Sequence, residues 1–99
     1  MAYVRHITLT ANTVATFTIS GASANASGYE VLNRNGLDEV YVSHDGTAAP
    51  TDPTVGGNDF DVIPAAVGAG IQARRASQSA ITVKVISASA TKVTFRSLA

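Results

Sequence analysis

The sequence predicts a small all-β domain, an antiparallel β-sandwich or barrel of about seven to eight short strands. Three observations predict it. Runs rich in Val, Ile, Thr and aromatic residues alternate apolar with polar side chains, the pattern of a pleated surface with one buried face. Turn-forming residues punctuate those runs at roughly regular intervals, with Asn35-Gly36 and Asp45-Gly46 the sharpest of them. No segment carries the helical spacing of apolar residues that an amphipathic helix needs.

Length and composition narrow the reading. The 99 residues are read as a single β domain over residues 1–99. Hydrophobic residues make up 45%, but many are alanines that bury little area. Three Phe, three Tyr and no Trp leave Val, Ile and Leu to build most of the core. A core that small gains from contact with a partner, which points to an oligomer or a subunit of a larger assembly. Formal net charge is zero. Such neutrality argues against direct nucleic-acid binding and against attachment to an anionic membrane.

The charges are segregated along the chain. All seven acidic residues fall between Glu30 and Asp61, and five of the seven basic ones lie from Arg74 onward. Acidic and basic strands are expected either to become neighbours in one fold or to form opposite-sign faces that guide docking between subunits. With no cysteine, disulfides and thiolate metal sites are excluded. The opening MAYVRHITLTANTV lacks a secretory pattern, and no apolar run approaches the ~20 residues of a membrane span. Synthesis in a cytosolic setting is the expectation.

Residues 3–10 (YVRHITLT) and 13–20 (TVATFTIS) read as two strands, because branched Cβ atoms fit a sheet better than a helix. Asn12 tolerates the left-handed conformation of a short loop that would pair Leu9 with Ala15 and Ile7 with Phe17. The small, polar stretch 21–28 reads as a surface loop. Residues 29–46 then form the clearest hairpin of the sequence. A type I′ turn at Asn35-Gly36 would pair Val31 with Val40 and Tyr29 with Val42, placing all four on one face. The other face would carry Glu30, Leu32, Glu39 and Tyr41.

Residues 47–59 (TAAPTDPTVGGND) form a loop longer than most in a compact domain, held extended by Pro50 and Pro53. Loops of that length are frequent contact sites. Phe60, Val62 and Ile63 make a short strand stopped by Pro64, and 65–70 turns toward a strand at 71–74. The last third alternates again. Matching its apolar faces puts Val85 opposite Val93 and Val83 opposite Phe95, a terminal hairpin with a buried face and a basic, solvated one.

Residues that could carry chemistry are few. His6 and His44 lie on separate strands with no nucleophile motif near either, and they read as surface residues. Asp45, Asp52, Asp59 and Asp61 do not match the spacing of a calcium loop, and Asp is a turn former in its own right. Arg74-Arg75 lacks the interleaved aromatics of a nucleic-acid footprint. No glycine-rich phosphate loop is present. No catalytic, cofactor-binding or metal-ligating residue is therefore assigned, no cofactor is expected, and the chain does not read as an enzyme.

A resemblance carries the reading further. Asn33-Arg34-Asn35-Gly36, Val40-Tyr41-Val42, Asp45-Gly46-Thr47, Thr54-Val55-Gly56-Gly57-Asn58-Asp59, Val62-Ile63-Pro64-Ala65 and Thr82-Val83-Lys84-Val85-Ile86-Ser87 together resemble a family of small structural proteins of tailed bacteriophages. The likeness covers about two-thirds of the chain, from Tyr29 onward, and consists mostly of turn and strand chemistry. The Asp52-Pro53-Thr54 segment departs from the family pattern and lengthens that loop.

The resemblance implies a capsid decoration protein, bound outside the mature head and stabilising the shell against internal DNA pressure. It implies the major capsid protein as partner, a homo-oligomer (a trimer, by analogy with other decoration proteins), and the capsid surface of the virion as location after synthesis in the bacterial cytoplasm. Candidate contact elements are the N-terminal strand at residues 2–10, which could add to a sheet edge, and the loop at 47–59. The alternatives are another virion role, in head–tail joining or the tail, and a glycan- or receptor-binding module. For a glycan, Tyr41 among Glu30 and Glu39 would be the stacking platform.

Overall fold

A computed structural model describes residues 4–19, 28–44, 50–74 and 81–98. Within them lie β1 (Val4–Thr8), β2 (Ala15–Ile19), β3 (Gly28–Asn33), β4 (Val40–Ser43), β5 (Asp61–Ile63), β6 (Gly70–Arg74), β7 (Ile81–Ser87) and β8 (Lys92–Leu98). They make two four-stranded antiparallel sheets, ordered β1-β8-β3-β6 and β2-β7-β4-β5. The all-β sandwich that the alternation predicts is the architecture observed. Residues 21–27, 45–49 and 75–80, which hold the polar loop, the Asp45-Gly46 turn and most of the stretch around Arg75, lie outside the described residues, as do 1–3.

The strand order has a simple origin. β1 pairs with β8, β2 with β7, β3 with β6 and β4 with β5, so the chain is one long antiparallel hairpin folded about the β4–β5 connection. Winding that hairpin brings β8 against β3 and β7 against β4. Two sheets then close over one core. This is the jelly-roll arrangement, also called a double-stranded β-helix.

The three hairpins expected from the sequence do not form. β1 and β2 lie in different sheets, as do β3 and β4, and β7 and β8. Tyr29 and Val31 still share a core with Val40 and Val42, and Val83 and Val85 with Val93 and Phe95, but they meet across the sandwich. Period-two alternation fixes which face of a strand is apolar. Whether the matching face lies beside it or opposite it is a separate matter, and here it lies opposite.

Asn35-Gly36 is accordingly no type I′ turn. Gly36 has a φ of +64°, whereas the non-glycine residue with positive φ among the described residues is Asn12, at 57°. Connection 34–39 is organised by the buried side chain of Asn33. Its carbonyl oxygen accepts the Gly36 N–H at 2.9 Å, and its amide donates to the carbonyls of Asp38 at 2.9 Å and Pro64 at 3.0 Å. Gly36 packs so close to connection 64–69 that a Cβ there would lie 2.8 Å from the Val67 nitrogen. Glycine is required twice over, for its dihedral angle and for space.

The core is filled by large rings. Phe17 from one sheet stacks on Phe95 from the other, with centroids 4.8 Å apart, and Tyr29 tilts against Phe95 at 6.1 Å. Leu9, Ile63 and the valines close around them. Each such side chain removed from water stabilises the fold by about 1.5–3 kcal/mol.

Two glycines separate dihedral strain from crowding. Gly36→Ala is expected to destabilise the fold by roughly 2–4 kcal/mol, since the new methyl meets backbone. Gly56→Ala, at φ +79° with open space around it, should lose only about 1 kcal/mol. Urea denaturation of both variants checks the difference.

Candidate functional site

Four surface features arise from this fold. The first is the edge of the β1 sheet. Among the described strands β1 pairs with β8 alone, and Val4, Arg5, His6 and Thr8 are exposed along it. His6 turns its Nδ1 to the Thr94 hydroxyl at 2.8 Å, so it acts as a cross-strand link on the sheet face. The N-terminal strand singled out in the sequence is thus an edge strand among the described residues, with Leu9 beyond it buried in the core.

The second feature is the β4–β5 connection. Its described part, residues 50–60, folds back over the outer face of its own sheet. The Ser43 hydroxyl donates to the Thr51 carbonyl, Lys84 pairs with Asp52 at 2.6 Å, and Pro53 is buried. Ile86 and Thr82 point outward from β7 on this same face and are buried, Thr82 with its hydroxyl against that of Thr18 at 3.3 Å. Tyr41 donates to Glu39 at 3.3 Å. Partial burial, and then the adjacent Glu39 carboxylate, raise the Tyr41 phenol above its ordinary value, while a backbone hydrogen bond from Gly56 pulls the other way. Glu30 lies on the other sheet, so the stacking platform of Tyr41 between Glu30 and Glu39 is not assembled.

That buried Glu30 forms the third feature, a polar row across the β1 sheet. Val4, Arg96, Glu30 and Gln72 are lateral neighbours on four adjacent strands. The Glu30 carboxylate takes the Arg96 guanidinium on one oxygen and the Gln72 amide on the other. Acidic and basic strands have become neighbours within one fold, as one of the two charge readings expects.

A cleft beside His44 is the fourth. It has a volume of about 330 Å³ and is lined by Val42, Ser43, His44, Pro50, Thr51, Asp59, Phe60 and Asp61. His44 bridges two partners at 2.6 Å each, the Tyr29 hydroxyl at Nδ1 and the Asp61 carboxylate at Nε2. In the neutral ring the arrangement is complementary with Nε2–H donating to the Asp61 carboxylate and Nδ1 accepting from the Tyr29 hydroxyl. Tyr29 is 1% exposed, and this bond satisfies its hydroxyl at the edge of the core. Nothing local in the sequence marks the trio. His44 and Asp61 meet only because β4 pairs with β5 so that Val42 faces Asp61.

Of the four aspartates weighed for calcium, Asp52 is engaged by Lys84 and Asp61 by His44, and Asp45 lies outside the described residues. Among the described residues no group of three His, Cys, Asp or Glu side chains is placed to hold a metal ion.

No protein-family model matches the chain, and no curated protein matches its sequence. Among solved structures, it is similar to the solution NMR structure of a de novo designed double-stranded β-helix. That match has a TM-score of 0.57 at 10% identity and covers 95% of this chain and 94% of the other. The crystal structure of the Penaeus vannamei nodavirus P-domain also matches, with a TM-score of 0.46 at 14% identity over 100% of this chain and 96% of that one. At such identities the likeness is one of fold.

Two substitutions test the polar links. Arg96→Ala should lower stability by roughly 2 kcal/mol by leaving Glu30 with Gln72 alone, short of a fully enclosed pair because Arg96 is half exposed. Combining it with Glu30→Gln should recover much of the loss in thermal melts. Tyr29→Phe should lose about 1 kcal/mol, the net value of one hydrogen bond, and the His44 ring NMR signals should shift.

Proposed function

We propose that this chain is a virion structural protein of a tailed bacteriophage, and specifically a capsid decoration protein that binds the outside of the mature head. Its partner is the major capsid protein, and it acts by binding rather than by catalysis. The observation that carries the reading is the exposed β1 edge on a jelly roll whose interior is packed with rings. Jelly rolls serve viral capsids, lectins and cupins alike, so the fold alone does not choose among them. A filled interior leaves the surface to do the work. The resemblance of the motifs from Tyr29 onward to those of phage structural proteins favours the same reading.

Physically, decoration needs little more than this. A protein that binds the assembled, expanded shell in preference to free subunits stabilises that shell by linkage. Weak contacts repeated over an icosahedral lattice then add up. A neutral chain also has little tendency to adhere to nucleic acid in the host cytoplasm.

A second reading has one observation behind it. The His44 cleft sets Phe60 beside the carboxylates of Asp59 and Asp61, a composition that suits a glycan or a host receptor.

Co-sedimentation with mature and with unexpanded capsids of the cognate phage tests the proposal. Saturable binding to mature shells alone, at a fixed ratio to capsid subunits, is expected. Val4→Lys with Thr8→Lys should weaken it, because both positions are exposed and edge charges oppose strand addition while sparing the core. Truncation of 2–10 would be a poorer probe, since it also removes buried Leu9. Binding to neither shell overturns decoration and turns attention to tails and glycans.

A further inference from the structure

One end of the sandwich carries an apolar surface that the fold builds rigidly and leaves uncovered. Connections 34–39 and 64–69 meet there, joined by the Asn33 amide and by the Gly68 N–H donating to the Asn33 carbonyl at 2.8 Å. The joint displays two large apolar side chains outward, Leu37 at 57% exposure and Val67 at 76%. Pro64, Ala65 and Ala66 are exposed beside them. An exposed loop has no need of such residues, and polar ones would be better solvated at every one of these positions. Asn33 and Gly36 fix the backbone beneath, so the surface needs little ordering when it binds.

The charges around it select the occupant. Arg34 and Lys92 lie at this end with Asp38 and Glu39, two cations and two anions beside one apolar centre. A strongly cationic or anionic partner would meet like charges here as often as opposite ones. A surface of mixed sign suits a copy of itself. About a two-fold axis, a residue that meets its opposite on the second copy is met in the same way in return. The zero net charge of the chain removes long-range repulsion between copies.

We propose that two copies of this chain associate through this end, with Leu37 and Val67 at the centre and Arg34 of each facing Glu39 of the other. The association does not depend on the capsid reading. It requires only the cap as built.

Sedimentation equilibrium of the purified chain over a range of concentrations up to millimolar tests it. A reversible monomer–dimer equilibrium is expected. L37D/V67D should weaken it at least about tenfold, the loss typical when a central apolar contact is removed. Both positions are exposed, so an unchanged amide NMR pattern elsewhere in the chain verifies that the fold survives. R34E or E39R alone should weaken the dimer, and R34E/E39R together should restore it. A monomer at every concentration, a dimer indifferent to L37D/V67D, or charge reversal without rescue overturns the proposal.

Discussion

Everything in this fold depends on pairing between strands that are far apart in the chain. His6 bonds Thr94 across a separation of 88 residues, and the first strand finds its partner only in the last. Every connection except β4–β5 carries the chain from one sheet to the other. No sheet can form locally, because consecutive strands do not hydrogen-bond each other until β4 meets β5. The Phe17–Phe95 stack joins the two sheets across the core and depends on both being complete. Such a topology loses chain entropy before contacts repay it, which places the domain among the slower-folding β architectures.

That constraint also explains what could be read from the sequence. Burial was legible for the inward faces only, since Glu30, Thr82, Ile86 and Thr94, assigned to solvated faces, are buried as well. Tyr29, Val31, Val40, Val42, Val83, Val85, Val93 and Phe95 were assigned to apolar faces, and all are buried. Pairing was not legible, because the same alternation serves a hairpin and a sandwich equally well. Asn35-Gly36 looked like the best local turn signal, yet the turn chemistry that governs the crossing sits two residues earlier, in the Asn33 side chain. A short-range rule was overruled by a long-range packing requirement. The left-handed Asn12 was read correctly and put to another use, with its N–H donated to the Ser87 carbonyl at the crossing between sheets.

The candidate sites divide along the same line. The exposed N-terminal strand could be proposed from residue types alone, since it needs only β propensity and a place at the edge. By contrast, the Tyr29–His44–Asp61 trio comes from three separate strand regions, and only the β4–β5 register brings it together. The long β4–β5 connection was legible as unusual but not as self-docking. Its described part is anchored on its own sheet, with Asp52 paired to Lys84, Pro53 buried and Gly56 bonded to Tyr41.

What the chain leaves open is therefore limited by how it closes itself. The outer face of the β4 sheet is roofed by its own loop, and the outer face of the β1 sheet is tied across by the Arg96–Glu30–Gln72 row. Among the features left exposed are the β1 edge, along the side of a sheet, and the Leu37–Val67 cap, at the end of the sandwich. A pair joined through its caps would carry two β1 edges related by the two-fold axis. Weak strand addition at each edge would then be reinforced by the other, because the second contact forms at high effective concentration once the first is made. A small neutral domain with a modest core gains in this way what its own buried area cannot supply, a firm hold built from two weak ones.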